Sequence, residues 1–211
     1  MRLKKFLRKD EIEKDMENQF FFIIIGNDEL VISENLRYLN NLVIPGKMHA
    51  EYMIVHENKN LSQALERGRL ESAAKYKIYL DQNTFIIDKD FLVKAKQVFE
   101  KYQDIAMLGG RGFCKSDGQS KLEIKGHYIY QENNETLPCI KEMGQDASKE
   151  ILDAMALDKH FMMTSIDTTW KGNDNNYNIL KSVELRHRGY RTVVLTDENP
   201  MILFDNGILC E

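Results

Sequence analysis

Gln19-Phe20-Phe21-Phe22-Ile23-Ile24-Ile25-Gly26-Asn27-Asp28 is the stretch that decides the fold. Phe20–Ile25 is apolar without alternation, the pattern of a short strand covered on both faces, and Gly26-Asn27-Asp28 closes it with turn-forming residues. Working outward, Ser33 reads as the N-cap of a helix over Glu34–Leu42, in which Leu36, Leu39 and Leu42 recur at helical spacing. Pro45-Gly46 ends that unit. Glu51–His56 reads as a second strand, and Asn60 caps a helix running to Ala74. Lys75–Leu80 is a third strand, followed by the polar turn Asp81-Gln82-Asn83. A helix from Asp88 or Lys89 to Tyr102 and a strand over Ile105–Leu108 complete a β-α-β-α-β-α-β order. That order predicts an α/β fold with a mainly parallel central sheet flanked by helices.

The remainder is less regular. Gly112–Gly144 mixes glycine, charge and short alternating pieces, and is expected to form a hairpin-like insertion. Ala156–Thr164 reads as one strand. Asn176–Arg188 is helical by spacing, with Ile179, Leu180, Val183 and Leu185 as its apolar members and Gly189 at its C-terminus. Arg191–Leu195 is a further strand, and Met201–Phe204 a short apolar segment. With no repeat, low-complexity tract or Pro-rich linker, residues 1–18 are expected to be an N-terminal extension and 19–211 a single domain.

The 211 residues suffice for one well-buried core. A net charge of −4 supplies no general field for nucleic acid, so no nucleic-acid partner is expected. Cys114, Cys139 and Cys210 lie far apart and form no C-x-x-C pair, which fits reduced thiols in a cytoplasmic protein. The longest apolar run falls well short of the roughly 18–20 residues that cross a bilayer, and no signal-peptide core or cleavage site follows the basic start Met1–Lys9. That start reads as a helical extension; a weak peripheral contact with anionic lipid is its second reading.

In an open α/β sheet ligands bind beyond the carboxyl ends of the strands. The segments to inspect are therefore Gly26-Asn27-Asp28, His56-Glu57-Asn58, Asp81-Gln82-Asn83, Gly109–Gly112 and the region after Thr164. No G-x-G-x-x-G, Walker lysine or G-x-S-x-G elbow is present, and the five histidines lack zinc-hydrolase spacing.

Taken together, these turns carry a resemblance. Phe22–Glu29, Ala74–Ile87 with its Tyr79-Leu80-Asp81-Gln82 core, Ile105–Gly109, and Ser182–Arg191 with its Glu184-Leu185-Arg186 and Gly189-Tyr190 follow one another in the order of a known family. From about Phe20 to Gly207 the chain resembles the small glycosyltransferase-like group related to family 2, of GT-A fold. The resemblance implies a nucleotide-sugar donor whose base and ribose lie against Gly26, Asn27 and Asp28 and against His56, Glu57 and Asn58. It places Asp81-Gln82-Asn83 at the D-x-D-type motif, where Asp81 and Asn83 would hold a divalent cation, Mn or Mg, on the diphosphate; hard cations prefer oxygen ligands and offset leaving-group charge. It puts Asp158 beside the sugar, the catalytic base on the helix near Asn176, and a glycan or lipid-linked acceptor opposite the donor.

Three positions depart from the family pattern. Asn83 stands where the family usually has Asp, Asn178 occupies the base position although an amide accepts no proton at neutral pH, and Phe204 precedes Asp205 where the family often has His. Asp81 is an acid where the family frequently lacks one, and Asp174, four residues before Asn178, shares its face if the helix starts early. Two functions follow: an inverting, metal-assisted glycosyltransferase using Asp81 for the cation and Asp174 or another acid as base, or a degenerate GT-A domain that binds nucleotide or glycan, or partners an active enzyme, without transfer.

Overall fold

Phe20, Phe22 and Ile24 pack on one side of the central sheet, and Phe21, Ile23 and Ile25 on the other. Both faces of this strand are covered, which is why its sequence cannot alternate with polar residues. The computed structural model describes residues 18–56, 60–115, 121–134, 137–143, 149–171 and 176–205. The expected extension therefore lies outside the described residues except for Asn18.

The first half is a run of βα units. β1 (Gln19–Ile25) leads into α1 (Glu29–Leu39), β2 (His49–Val55), α2 (Leu61–Leu70) and β3 (Tyr76–Asp81). The short β4 (Thr84–Ile86), then α3 (Phe91–Lys101) and β5 (Ile105–Gly109), follow. The expected insertion contains β6 (Gly112–Lys115), β7 (Leu122–Lys125), β8 (Tyr128–Asn134) and β9 (Leu137–Met143), paired antiparallel as β6–β7 and β8–β9. The chain continues through β10 (Ile151–Leu157), β11 (Phe161–Thr164), α4 (Tyr177–His187), β12 (Arg191–Leu195) and β13 (Ile202–Asp205).

The main sheet has nine strands in the order β2-β1-β3-β11-β5-β12-β10-β6-β7. β2, β1 and β3 are mutually parallel, as are β5 and β12. β11 runs antiparallel between β3 and β5, and β10 antiparallel to β12 and β6, so the sheet is mixed, with antiparallel β11 separating the parallel group β2-β1-β3 from the parallel pair β5-β12. A second sheet, β4-β13-β8-β9, joins the C-terminal strand to the insertion.

Several boundaries differ from the sequence reading. Asp28, not Ser33, caps α1: its Oδ1 accepts from Leu30 N (2.9 Å) and Val31 N (3.2 Å), so the helix begins four residues before Ser33. Asn60 does cap α2, accepting from Gln63 N, but the helix stops at Leu70. The expected strand Ala156–Thr164 is two strands, because Asp158 Oδ1 accepts from His160 N (2.9 Å) and turns the chain between them. Of the four apolar residues that mark α4, only Leu185 is buried; Ile179, Leu180 and Val183 face outward. No helix among the described residues is long and apolar enough to cross a membrane.

Candidate active site

β3 alternates Tyr76, Ile78 and Leu80 on one face with Lys77, Tyr79 and Asp81 on the other, and ends in a carboxylate. Asp81 N donates to His160 O (2.9 Å), which ties the strand end to the turn between β10 and β11. Asp81 Oδ1 accepts from Asn83 N (2.9 Å), whereas Oδ2 has His160 Nδ1 at 3.9 Å, too far for a hydrogen bond. A cavity of about 170 Å³ opens beside it. Ile25 and Leu80 line it at strand ends, Leu61 and Leu65 from α2, Tyr79 from β3, and Tyr177 from the first turn of α4. Asp81, Lys159 and His160 supply its charged and titratable side chains. Burial pushes the Tyr79 phenol up, so this hydroxyl stays protonated at neutral pH.

The neighbouring turn after β1 has most of its amides engaged. Gln82 Oε1 accepts from Asn27 N (2.8 Å) and Asp28 N (2.9 Å), while the Asp28 carboxylate takes the N–H groups of Leu30 and Val31. A helix N-terminus is ordinarily a ready anion site, but two amides just before α1 and two in its first turn have partners within the chain. His56 Nδ1 lies 3.2 Å from Gly26 O and joins the end of β2 to the same turn. Gly26, Asn27, Asp28 and His56 are thus tied through Gln82 to the Asp81 turn, while of this set only Asp81 lines the cavity. Glu57 and Asn58, expected beside them, lie outside the described residues.

On the far side, Arg111 and Asp158 form an ion pair at 2.6 Å, each side chain 16% exposed. The guanidinium sits over the rings of Phe204 (4.2 Å) and Tyr128 (5.0 Å), and Asp158 N donates to Arg111 O (2.9 Å). Phe204 therefore packs against Arg111, and Asp205 N donates to Asn83 O (2.9 Å), so β13 reaches the Asp81–Asn83 turn. Asn178 is buried and donates from Nδ2 to Leu157 O (2.7 Å), and Tyr177 Oη donates to Lys159 O (2.9 Å). The first turn of α4 thereby grips the 158–160 turn by its backbone carbonyls. Asp174 lies outside the described residues.

Among the described residues no three His, Cys, Asp or Glu side chains converge on one point. The donor set fits a cation that arrives with a diphosphate and water, for which one or two carboxylates suffice, and does not form a cage of its own. Gln82, Lys159, His160, Arg111 and Tyr177 were not among the candidate residues. Gln82 and Arg111 lay inside inspected segments, but only the pairing of distant turns reveals their partners. The larger concavity, about 800 Å³ against β10, β12 and the β6–β7 hairpin, contains none of the candidate site residues.

The family model described as glycosyltransferase-like family matches residues 21–210. The chain belongs to the glycosyltransferase-like family. Among curated proteins none matches. Solved structures align with it at low identity. The mannosyltransferase PcManGT from Pyrobaculum calidifontis, in complex with GDP-Man and Mn2+, gives a TM-score of 0.57 at 8% identity over 90% of this chain and 56% of that one. TarS 1-349 of S. aureus, in complex with UDP-GlcNAc, gives 0.53 at 10% identity over 88% of this chain and 58% of that one. A mutant Drosophila β-1,4-galactosyltransferase 7, in complex with manganese, UDP-Gal and xylobiose, gives 0.50 at 8% identity over 88% and 69%. This chain spans a little over half the length of the first two. The likeness is one of fold, and the fold is GT-A. Within that family fold, Asp81-Gln82-Asn83 ends a central strand at the mouth of a cavity.

Proposed function

We propose that this member of the glycosyltransferase-like family transfers a sugar from a nucleotide-sugar donor to a hydroxyl acceptor, with a divalent cation carried on the donor's diphosphate. The observation that carries the reading is Asp81, a carboxylate ending β3 beside the cavity, with Oδ2 outside hydrogen-bonding range of His160 Nδ1. Because Gln82 and Asp28 occupy the amides of Asn27, Asp28, Leu30 and Val31, the start of α1 offers the diphosphate little compensation, and a cation held by Asp81 would supply it. When bound, the cation would stabilise the charge that develops on the leaving diphosphate. Gly26, Asn27, Asp28 and His56 would border the nucleoside, and Lys159, His160 and Tyr177 the sugar. In the inverting reaction the acceptor oxygen bonds to the anomeric carbon as the bond to the phosphate oxygen breaks. The acceptor proton passes to a carboxylate, for which Asp174 is the candidate. Asn178 acts by positioning the 158–160 turn, and Asp158 by anchoring it to Arg111.

One observation favours the second reading, binding without transfer: Asn178, at the family's base position, is buried and bonded to Leu157 O. A thermal-shift screen of UDP-, GDP- and other nucleotide-sugars with and without Mn2+, followed by transfer assays on hits, tests both. A bound donor at a hundredfold excess over Kd should add about 2.7 kcal/mol of stability. Binding with transfer or donor hydrolysis supports the enzyme, binding alone supports the second reading in its nucleotide-binding form, and no binding rejects the enzyme and that form.

A further inference from the structure

α4 departs from an ordinary surface helix. Beside Tyr177 and Leu185, its inward face carries Asn178, Lys181 and Ser182, each at most 6% exposed and each hydrogen-bonded. Lys181 Nζ donates to Thr168 Oγ1 (3.2 Å) and Glu184 Oε2 (2.6 Å) and reaches Thr169 O, while Ser182 Oγ donates to Asn178 O (2.8 Å). The outward face carries Ile179, Leu180 and Val183, exposed by 42%, 50% and 40%. An amphipathic helix normally does the reverse. With the polar face held by specific bonds, the helix cannot roll to hide the aliphatic one.

Cations adjoin this ridge. Arg186 and Arg188 in the last turn and C-cap are exposed, Arg186 donating to Ala154 O (3.1 Å) and Met155 O (3.0 Å) and Arg188 lying 3.6 Å from Glu184. Next to them opens the 800 Å³ groove, whose lining among the described residues holds five lysines and arginines against Glu123 and Asp153. Arg191 pairs with Asp153 and Lys125 with Glu123, so Lys115, Lys149 and Arg186 set its excess charge. Cys114, Leu152, Ala154 and Tyr190 of the groove share a core cluster with Leu185 of α4, so groove and helix lie on the same face of the sheet. In a chain of net charge −4 this is a local inversion of sign.

We infer that this face docks on a bilayer containing anionic lipid, with Ile179, Leu180 and Val183 entering the interface and the groove cations meeting headgroups. Aliphatic side chains beside Lys and Arg are the composition of an interfacial helix. Three side chains within about two turns are far too few for an interface between copies, which takes about 800 Å² per partner. Tyr177, two residues before Ile179, lines the candidate active site, so the docking face starts within one helical turn of that cavity.

The test is co-sedimentation of the full chain with phosphatidylcholine vesicles with and without phosphatidylglycerol, at low and high salt. The wild type is expected to bind only the anionic vesicles and to be released by salt. Ile179→Ser/Leu180→Ser/Val183→Ser should lower the partition about tenfold with an unchanged melting temperature. Lys115→Gln/Lys149→Gln should lower it and weaken its salt dependence; this pair also serves if the triple variant fails to fold. The inference is overturned if anionic vesicles do not bind the wild type, or if the variants on this face bind as the wild type does. It is equally overturned if only Lys4→Gln/Lys5→Gln/Arg8→Gln/Lys9→Gln abolishes binding, or if light scattering shows a dimer that the triple variant dissolves.

Discussion

Gln82 Oε1 accepts from both Asn27 N and Asp28 N, so the middle residue of the turn after β3 holds the turn after β1 in place. A β-carbon on Gly26 would overlap the Gln82 side chain, which explains the glycine there. Gln82→Ala should cost about 1 kcal/mol, because two donors lose a partly exposed acceptor, whereas Gln82→Glu keeps the acceptor and should stay close to the wild type. Gly26→Ala should be destabilising alone and less so with Gln82→Gly, which also removes the Gln82 β-carbon 2.5 Å from the added one. Chemical denaturation of the double-mutant cycle checks this, and strict additivity would mean the two residues do not meet.

Asn178 is a donor to a buried carbonyl, and replacing it by an acid removes the donor. Asn178→Asp should therefore destabilise the chain by about 1–3 kcal/mol without a gain in transfer. Thermal unfolding and a transfer assay check both parts. Unchanged stability with new or greater activity would instead put the side chain in the cleft as a base.

At the opposite end of β3, Arg69 bonds both Glu66 and Asp167, and Lys77 lies 3.5 Å from Asp167. The Arg69 hydrogen bond holds the Glu66 carboxyl below its ordinary value of 4.5, against burial, which raises it. Burial likewise pushes Asp167 up, but Arg69 and Lys77 outweigh it and hold the group below 3.8. Lowered folded-state values mean stabilisation that is complete above the unfolded values and lost as pH falls through the folded ones. Melting temperature should be flat above about pH 5 on this account and fall below it. In Arg69→Gln the contribution of Glu66 and Asp167 to that fall should shrink, and an identical acid limb would contradict the assignment.

The strands were legible where residues bury both faces. Phe20–Ile25 and Ile105–Leu108 have no polar residue to misplace, and the structure keeps them to within a residue or so. The break at Asp158-Lys159-His160 was not legible, since a strand tolerates three polar residues; the bond from His160 N to Asp158 makes them a turn once the Asp158–Arg111 pair and the grip of Tyr177 and Asn178 hold it. α4 misled for the opposite reason. Its periodicity is helical, but its polar residues are the ones with buried partners, and those partners lie on Leu157, Thr168 and Thr169, distant in sequence. Asp81 stood out as an acid directly after an apolar run. The bond of Gln82 to Asn27 and Asp28 spans more than fifty residues, and no local pattern announces it.

The central claim, that Asp81 holds the cation-bridged diphosphate of a nucleotide-sugar, is tested most directly by calorimetric titration of UDP- and GDP-sugars into the wild type and Asp81→Ala, each with and without Mn2+. The account predicts saturable binding of at least one donor to the wild type that requires Mn2+, and its loss in Asp81→Ala while the melting temperature of the apo chain changes little. Binding that ignores Mn2+, or that survives unchanged in Asp81→Ala, would contradict it.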